Sequence, residues 1–208
     1  YKELTVILLS VDQSLTHSAC CLWQDGVPVH KAVFKTADSC AKEVKKGAYQ
    51  AHFTVERIQW LCEQIAALAE EWKIDHFVME DLPFNLARGN AGKDLAGLFY
   101  AIELTMLKTL GDISKIHTVN VTAAKKQAHN FLPPELAFYE EIKVDKRSGK
   151  EHTITKQVKM DKKLMIAAAE RKWPGFLDGI NLTMGKADVA DALWIGYCWW
   201  EGISGSAR

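Results

Sequence analysis

Leu4 to Val11 is a mostly apolar run rich in Leu, Ile and Val, and it ends in an acid, Asp12. A run of that kind does not alternate between a wet and a dry face, so it reads as a strand covered on both sides and therefore central in a sheet. The rest of the chain has to wrap it. After Gln13-Ser14-Leu15-Thr16-His17, the segments Ser18 to Trp23 and Val27 to Phe34 flank Asp25-Gly26, a favoured two-residue hairpin turn. Three antiparallel strands are thus expected to open the protein. From about Tyr49 to Trp72, apolar residues recur at steps of three and four, which predicts an amphipathic helix. Ile74 to Met79 is a short apolar run ending at Glu80; the helix before it and Leu82-Pro83 after it favour a strand. Ala91 to Leu110 reads as a helix, Ile116 to Val119 as a strand, and Thr122 to His129 as a short helix stopping before Pro133-Pro134. Tyr139 to Val158 alternates apolar and charged residues around Arg147-Ser148-Gly149-Lys150, which predicts a hairpin. Asp161 to Trp173 and Lys186 to Trp200 complete the set as helices. The order predicts a mixed α/β layer arrangement, and 208 residues suggest one domain.

Composition bears more on function than on fold. No apolar run approaches the roughly 18 to 20 residues of a membrane span, so no membrane partner is expected. The chain does not open with a basic stretch and an apolar segment of the secretory kind. Its five cysteines, Cys20, Cys21, Cys40, Cys62 and Cys198, include no CxxC pair, which suggests neither a disulfide framework nor a zinc ribbon. A cytoplasmic protein is expected, of a bacterial or phage-infected host cell, with an organelle as the alternative. Lys plus Arg and Asp plus Glu both number 26, a balance that argues against coating nucleic acid by bulk charge. The balance hides a basic segment, because residues 142–172 carry ten Lys or Arg against four acids. A run of this kind is either a solvated face or an anion-binding one.

The acids form the pattern that carries chemistry. Asp12 and Glu80 each end a predicted inner strand, where ligands bind in open α/β sheets. Asp188 and Asp191 lie three residues apart, on one face of a helix otherwise made of Ala187, Val189, Ala190, Ala192, Leu193, Trp194 and Ile195. Two aspartates in so apolar a helix are costly unless a cation pairs with them, and a divalent metal is such a partner. Four carboxylates are hard oxygen donors that suit one or two Mg²⁺ or Mn²⁺ ions, and paired ions serve phosphodiester hydrolysis. Taken singly, each acid has a plainer use: Asp12 in a turn, Glu80 or Asp81 capping the next segment, Asp188 as a helix N-cap. Their joint occurrence in this order favours the metal.

In these motifs the chain resembles the RuvC-type Holliday junction resolvases of the RNase H-like (retroviral integrase) superfamily. Leu9-Ser10-Val11-Asp12-Gln13-Ser14 resembles the family's first-strand motif, Phe77-Val78-Met79-Glu80-Asp81 its second acidic motif, and Asp188-Val189-Ala190-Asp191-Ala192-Leu193 its D-x-x-D-A-L helix. Val121-Thr122-Ala123-Ala124-Lys125-Lys126 is similar to the segment holding a basic residue beside the scissile phosphate. Met160-Asp161-Lys162-Lys163 is similar to the D-K stretch that opens a helix. The resemblance implies an RNase H-like mixed five-stranded sheet, three antiparallel strands then two parallel, flanked by helices. It also implies metal held by Asp12, Glu80, Asp188 and Asp191, two Mg²⁺ or Mn²⁺ ions per site, and catalytic lysines Lys125 and Lys162, with Lys126 and Lys163 the nearest alternatives. Phe84, four residues past Glu80, matches an apolar wedge at the junction centre. Arg88, Asn90 and Lys93 follow as backbone contacts. About thirty residues separate Gln127 from Asp161 where family members have a few, so residues 131–159 read as a basic hairpin insertion whose Lys143, Lys146 and Arg147 would meet DNA. The first motif also has Gln13-Ser14 where a glycine is common, so a different local turn is expected there.

The expected activity is that of a crossover junction endodeoxyribonuclease, resolving four-way DNA junctions by paired symmetric nicks in recombination, repair or branched-DNA processing. Paired nicks need two sites, so a homodimer is expected, with the helix near 91 to 110 as its interface. The alternatives are another RNase H-like nuclease acting on RNA/DNA hybrids or flaps, and a junction-binding protein without catalysis. An ATPase or sugar-kinase relative is disfavoured by the lack of a second glycine-rich phosphate loop.

Overall fold

In the computed structural model, which describes residues 5–39, 47–82, 90–144 and 151–206, the opening apolar run forms β1 (Ile7–Asp12) in the middle of a sheet. β2 (His17–Gln24) pairs antiparallel with β1, and β3 (Val27–Asp38) antiparallel with β2. Asp25 and Gly26 take φ of 51° and 81°, the left-handed conformations that a tight turn matching the strand twist requires. β4 (Tyr49–Ala51) follows, then α1 (Thr54–Trp72), β5 (His76–Glu80) and α2 (Asn90–Leu110). β6 (Ile116–Val119) and α3 (Val121–His129) come next, then a single turn α4 (Pro134–Ala137) and a separate hairpin of β7 (Phe138–Val144) and β8 (Glu151–Gln157). α5 (Lys162–Lys172) and α6 (Lys186–Ser206) close the chain. The sheet order is β4-β3-β2-β1-β5-β6, with β1, β5 and β6 mutually parallel.

The mixed sheet is thus laid out as expected, three antiparallel strands and then two parallel ones, with a sixth strand added at one edge. Tyr49 to Ala51 is that strand, parallel to β3, and not the first turn of a helix. Three residues are too few for alternation to register, and α1 begins only at Thr54, where the Glu56 carboxylate accepts a hydrogen bond from the Phe53 N–H at 3.1 Å. None of the described helices is long and apolar enough to cross a membrane.

Each face of the sheet builds its own core. Leu9, Val11, Cys20, Leu22, Phe77 and Met79 pack against α1 and α2, whereas Leu8, Cys21, Trp23 and Val78 pack against α3, α5 and α6. Successive residues of β1, β2 and β5 therefore serve opposite layers, as a pleat with period two dictates. α6 is keyed to the sheet by polar atoms as well as apolar ones. Ser10 Oγ donates to the Ala192 carbonyl at 2.8 Å and accepts from Trp23 Nε1 at 2.9 Å, both in the interior. Gly196 lets this happen: a Cβ there would lie 2.6 Å from Trp23 Cε2 and 2.8 Å from Ser10 Oγ. Gly196→Ala is expected to lower stability by about 1–3 kcal/mol, in spite of the helix propensity gained, because a close-packed core cannot yield the space. Urea denaturation measures it, and an unchanged midpoint would mean α6 shifts freely.

Candidate active site

The same period of two decides where the strand acids point. Ser10 on β1 and Val78 on β5 face α6, and Asp12 and Glu80 lie two residues further along, so they share that face. The parallel register pairs Val11 with Met79, which places the two acids side by side at the ends of adjacent strands. The Ser10 hydrogen bond holds Ala192 above β1 and brings Asp188 and Asp191, in the first turns of α6, over the same strand ends.

Gln13 fixes the pair from the next position. It is 7% exposed; its Nε2 donates to the Glu80 carbonyl at 2.6 Å, and its Oε1 accepts from the Glu80 N–H at 3.2 Å. One amide thus clamps both backbone groups of the residue that carries the second acid. Nothing in the local sequence marks Gln13 for this, since its partner is on another strand. Gln13→Ala leaves that N–H and C=O unpaired and is expected to cost about 1–3 kcal/mol. Thermal and chemical denaturation check this, and a change within measurement error would mean water replaces the clamp.

The four acids repel one another inside the fold. Burial, and then the charges of Asp191, Glu80 and Asp188, push the Asp12 carboxyl well above its usual range, with Lys162 opposing. Burial pushes Asp191 up to about 6, with Lys162 and Lys125 pulling down and Glu80 and Asp188 pushing up. Glu80 is also raised by burial, moderated by a side-chain hydrogen bond with Asp12 and by Lys125. Asp191 Oδ1 is buried with no hydrogen-bond partner. An unpaired buried carboxylate oxygen among raised acids is a place that gains from a cation. Oxygen donors of this type fit a hard divalent ion, with Asp12, Glu80, Asp188 and Asp191 as the available set. Among the described residues no three His, Cys, Asp or Glu side chains already stand as a ligand cage.

Two lysines reach this cluster from different helices. Asp161 caps α5 by accepting from the Leu164 N–H at 2.9 Å, which sets Lys162 as the first helical residue. Lys162 Nζ donates to Asp188 Oδ1 at 3.1 Å, and that bond, followed by the fields of Asp188, Asp191 and Asp12, raises its own affinity for the proton against the effect of burial. Asn120 caps α3 by accepting from Thr122 N–H at 2.8 Å. Lys125, on α3, lines a cavity of about 130 Å³ together with Glu80, Asp191, Val121, Ala124 and Met165.

Asp12, Glu80, Asp188, Asp191, Lys125 and Lys162 are thereby brought to one place. Lys126 and Lys163 are exposed on the same two helices, Lys93 is exposed in the first turn of α2, and Lys143 is exposed on β7. Phe84, Arg88, Lys146 and Arg147 lie outside the described residues.

No family model matches the sequence, and no curated protein matches it. Solved structures do match the fold. Thermus thermophilus RuvC in complex with a Holliday junction substrate superposes with a TM-score of 0.56 at 13% identity, covering 97% of each chain. A further Thermus thermophilus RuvC structure gives a TM-score of 0.58 at 13% identity, covering 96% of this chain and 97% of that one. At such identity the likeness is one of fold: this chain has the mixed sheet and flanking helices of RuvC, an RNase H-like architecture.

Proposed function

We propose that the protein is a divalent-metal-dependent endonuclease that resolves four-way DNA junctions by paired symmetric nicks, acting as a homodimer with one site per subunit. The observation that carries this reading is the convergence of four carboxylates from β1, β5 and α6 with Lys125 and Lys162, on a fold shared with a resolvase solved on junction DNA. Asp12, Glu80, Asp188 and Asp191 would hold Mg²⁺ or Mn²⁺. Such ions supply positive charge that polarises the phosphoryl oxygens where negative charge builds up.

The chain's own residues do the rest. Lys125 lines the cavity with Glu80 and Asp191, and its ammonium offsets charge on a phosphate brought to that opening. Lys162, bonded to Asp188, supplies a second cation at the other side of the acids. Gln13 keeps Glu80 in register with Asp12. Two such sites on a two-fold axis cut strands related by the same symmetry, and the homodimer follows from that requirement. Exposed Tyr100 and Leu104 on α2 give that helix an apolar outer face for the contact. Lys93, Lys126, Lys143 and Lys163 extend positive charge along the DNA path.

The deciding experiment incubates the protein with a synthetic immobile four-way junction, a linear duplex and an RNA/DNA hybrid, with Mg²⁺, with Mn²⁺ and with EDTA. Paired, metal-dependent nicks confined to the junction are expected. Tight junction binding without cleavage under either metal would make it a binding protein. Cleavage of the hybrid alone would make it a different RNase H-like nuclease.

A further inference from the structure

A second concavity, of about 410 Å³, runs beside the acidic site and shares Lys125 with it. One wall is α3, with Thr122, Lys125, Lys126 and His129; the other is the strand end and linker leaving the β7–β8 hairpin, Gln157 to Met160. The two walls are tied together at a single atom. The Ala137 carbonyl accepts from the Val158 N–H at 2.9 Å and from His129 Nε2 at 2.9 Å. Met160, 8% exposed, anchors the far end in the core. The groove is therefore a fixed feature of how the hairpin meets α3.

Its charge is unbalanced. The lining contains Lys125, Lys126 and Lys159 and no carboxylate. Three other lysines in this half of the chain pair with acids, Lys156 with Glu141, Lys162 with Asp188 and Lys186 with Glu170. Among the described residues none of the three groove lysines stands within ion-pair distance of an acid; Lys125 interacts at longer range with Glu80 and Asp191 in the adjoining cavity, which leaves Lys126 and Lys159 without an acid in the lining. Val158 and Met160 add apolar side chains to the lining, of the kind a sugar covers. Cations with hydrogen-bonding neighbours beside an apolar strip match a sugar–phosphate backbone better than a lone inorganic anion.

We propose that this groove seats the backbone of the DNA strand being cut, on one side of the scissile phosphate, with Lys126 and Lys159 on a phosphate next to it. The inference rests on the nuclease reading for the identity of the strand. It adds a defined seat and a residue, Lys159, that no motif marks. The β7–β8 hairpin then acts through its base, by setting Lys159 across from α3.

The test pairs a protein change with a DNA change. Binding of a synthetic four-way junction in EDTA is measured for the wild type, Lys126→Gln/Lys159→Gln, and Lys73→Gln at the C-terminal end of α1, between about 50 and about 200 mM salt. The double variant is expected to bind about 10-fold or more weakly, with the slope of log K against log salt reduced by about 2, because two fewer cations displace counterions from the backbone. Lys73→Gln gives the size of a general charge effect. Single methylphosphonates are then placed in turn along the cut strand. One position beside the scissile phosphate should weaken wild-type binding and leave the double variant indifferent, which a merely structural role for the lysines would not produce. Equal slopes for wild type and double variant, or a methylphosphonate penalty that persists in the variant, would overturn the groove and leave the nuclease reading intact. A wild type that binds no junction, or only the RNA/DNA hybrid, would overturn both.

Discussion

Asp191→Asn is expected to abolish nicking and at the same time to make the metal-free protein more stable. The two effects have one cause. Asp191 is partly buried, with its Oδ1 buried and unpartnered, beside Asp12, Glu80 and Asp188. Its charge is useful only when a cation shares the space. On the proposed metal reading the substitution removes a ligand of the ion and forfeits several kcal/mol of charge stabilisation in the transition state, and about 4 kcal/mol corresponds to a loss of about 10³-fold in rate. In EDTA the same substitution removes a buried like charge, and a gain of about 1–2 kcal/mol is expected, since Asn keeps the shape but still leaves a polar oxygen unpaired. The check is junction cleavage in Mg²⁺ together with urea denaturation in EDTA. A variant that is inactive and also less stable without metal would make Asp191 a structural residue, and the metal reading of α6 would fall with it.

The second large effect is on the pH dependence of stability. The folded Asp191 titrates at about 6 against an ordinary value of 3.8, raised first by burial. Between those values the native state binds more protons than the unfolded one, so this group's contribution to stability falls as pH rises from about 4 to about 6 and is level above. A shift of that size amounts to about 3 kcal/mol from Asp191 alone. Asp12 and Glu80, also raised by burial, act in the same direction. His76 and His117 act the other way, because burial lowers both, and their contribution is lost as pH falls below the usual 6.5. The quantity to measure is therefore the difference between wild type and Asp191→Asn, by denaturation in EDTA from about pH 4 to about pH 8. That difference should open in favour of the variant as pH rises, and saturating Mg²⁺ should close it for the wild type, since the cation takes the place of the proton. A difference curve that is flat, or that opens as pH falls, would rule out the buried charge as its cause.

Much of the sheet is legible residue by residue. The apolar run of β1, the Asp25-Gly26 turn and the apolar run of β5 are local patterns, because the pleat has a period of two and the turn chemistry sits within two residues. α2, α3, α5 and α6 fall near their expected spans for the same reason, with helical spacing and side-chain caps at Asn120 and Asp161. The three residues of β4 resemble the start of a helix in sequence, since a strand so short is defined only by its partner Thr36 to Asp38. The acids too stand out along the chain, because Asp188 and Asp191 interrupt an otherwise apolar helix three residues apart.

Other parts of the site belong to the three-dimensional arrangement. Gln13 holds Glu80 across 67 residues, Ser10 holds Ala192 across 182, and Lys162 meets Asp188 across 26. Lys159 lines the groove opposite α3, where the Ala137 carbonyl ties Val158 to His129 and Met160 packs into the core. Local pattern along the chain sets the strand and helix types, the parity that sends Asp12 and Glu80 to one face, and the shared face of Asp188 and Asp191 on α6. The packing of the layers selects which side chains satisfy one another. Periodicity and turn chemistry act over a few residues, whereas a hydrogen bond or a charge pair depends on distances that exist only once the layers have come together.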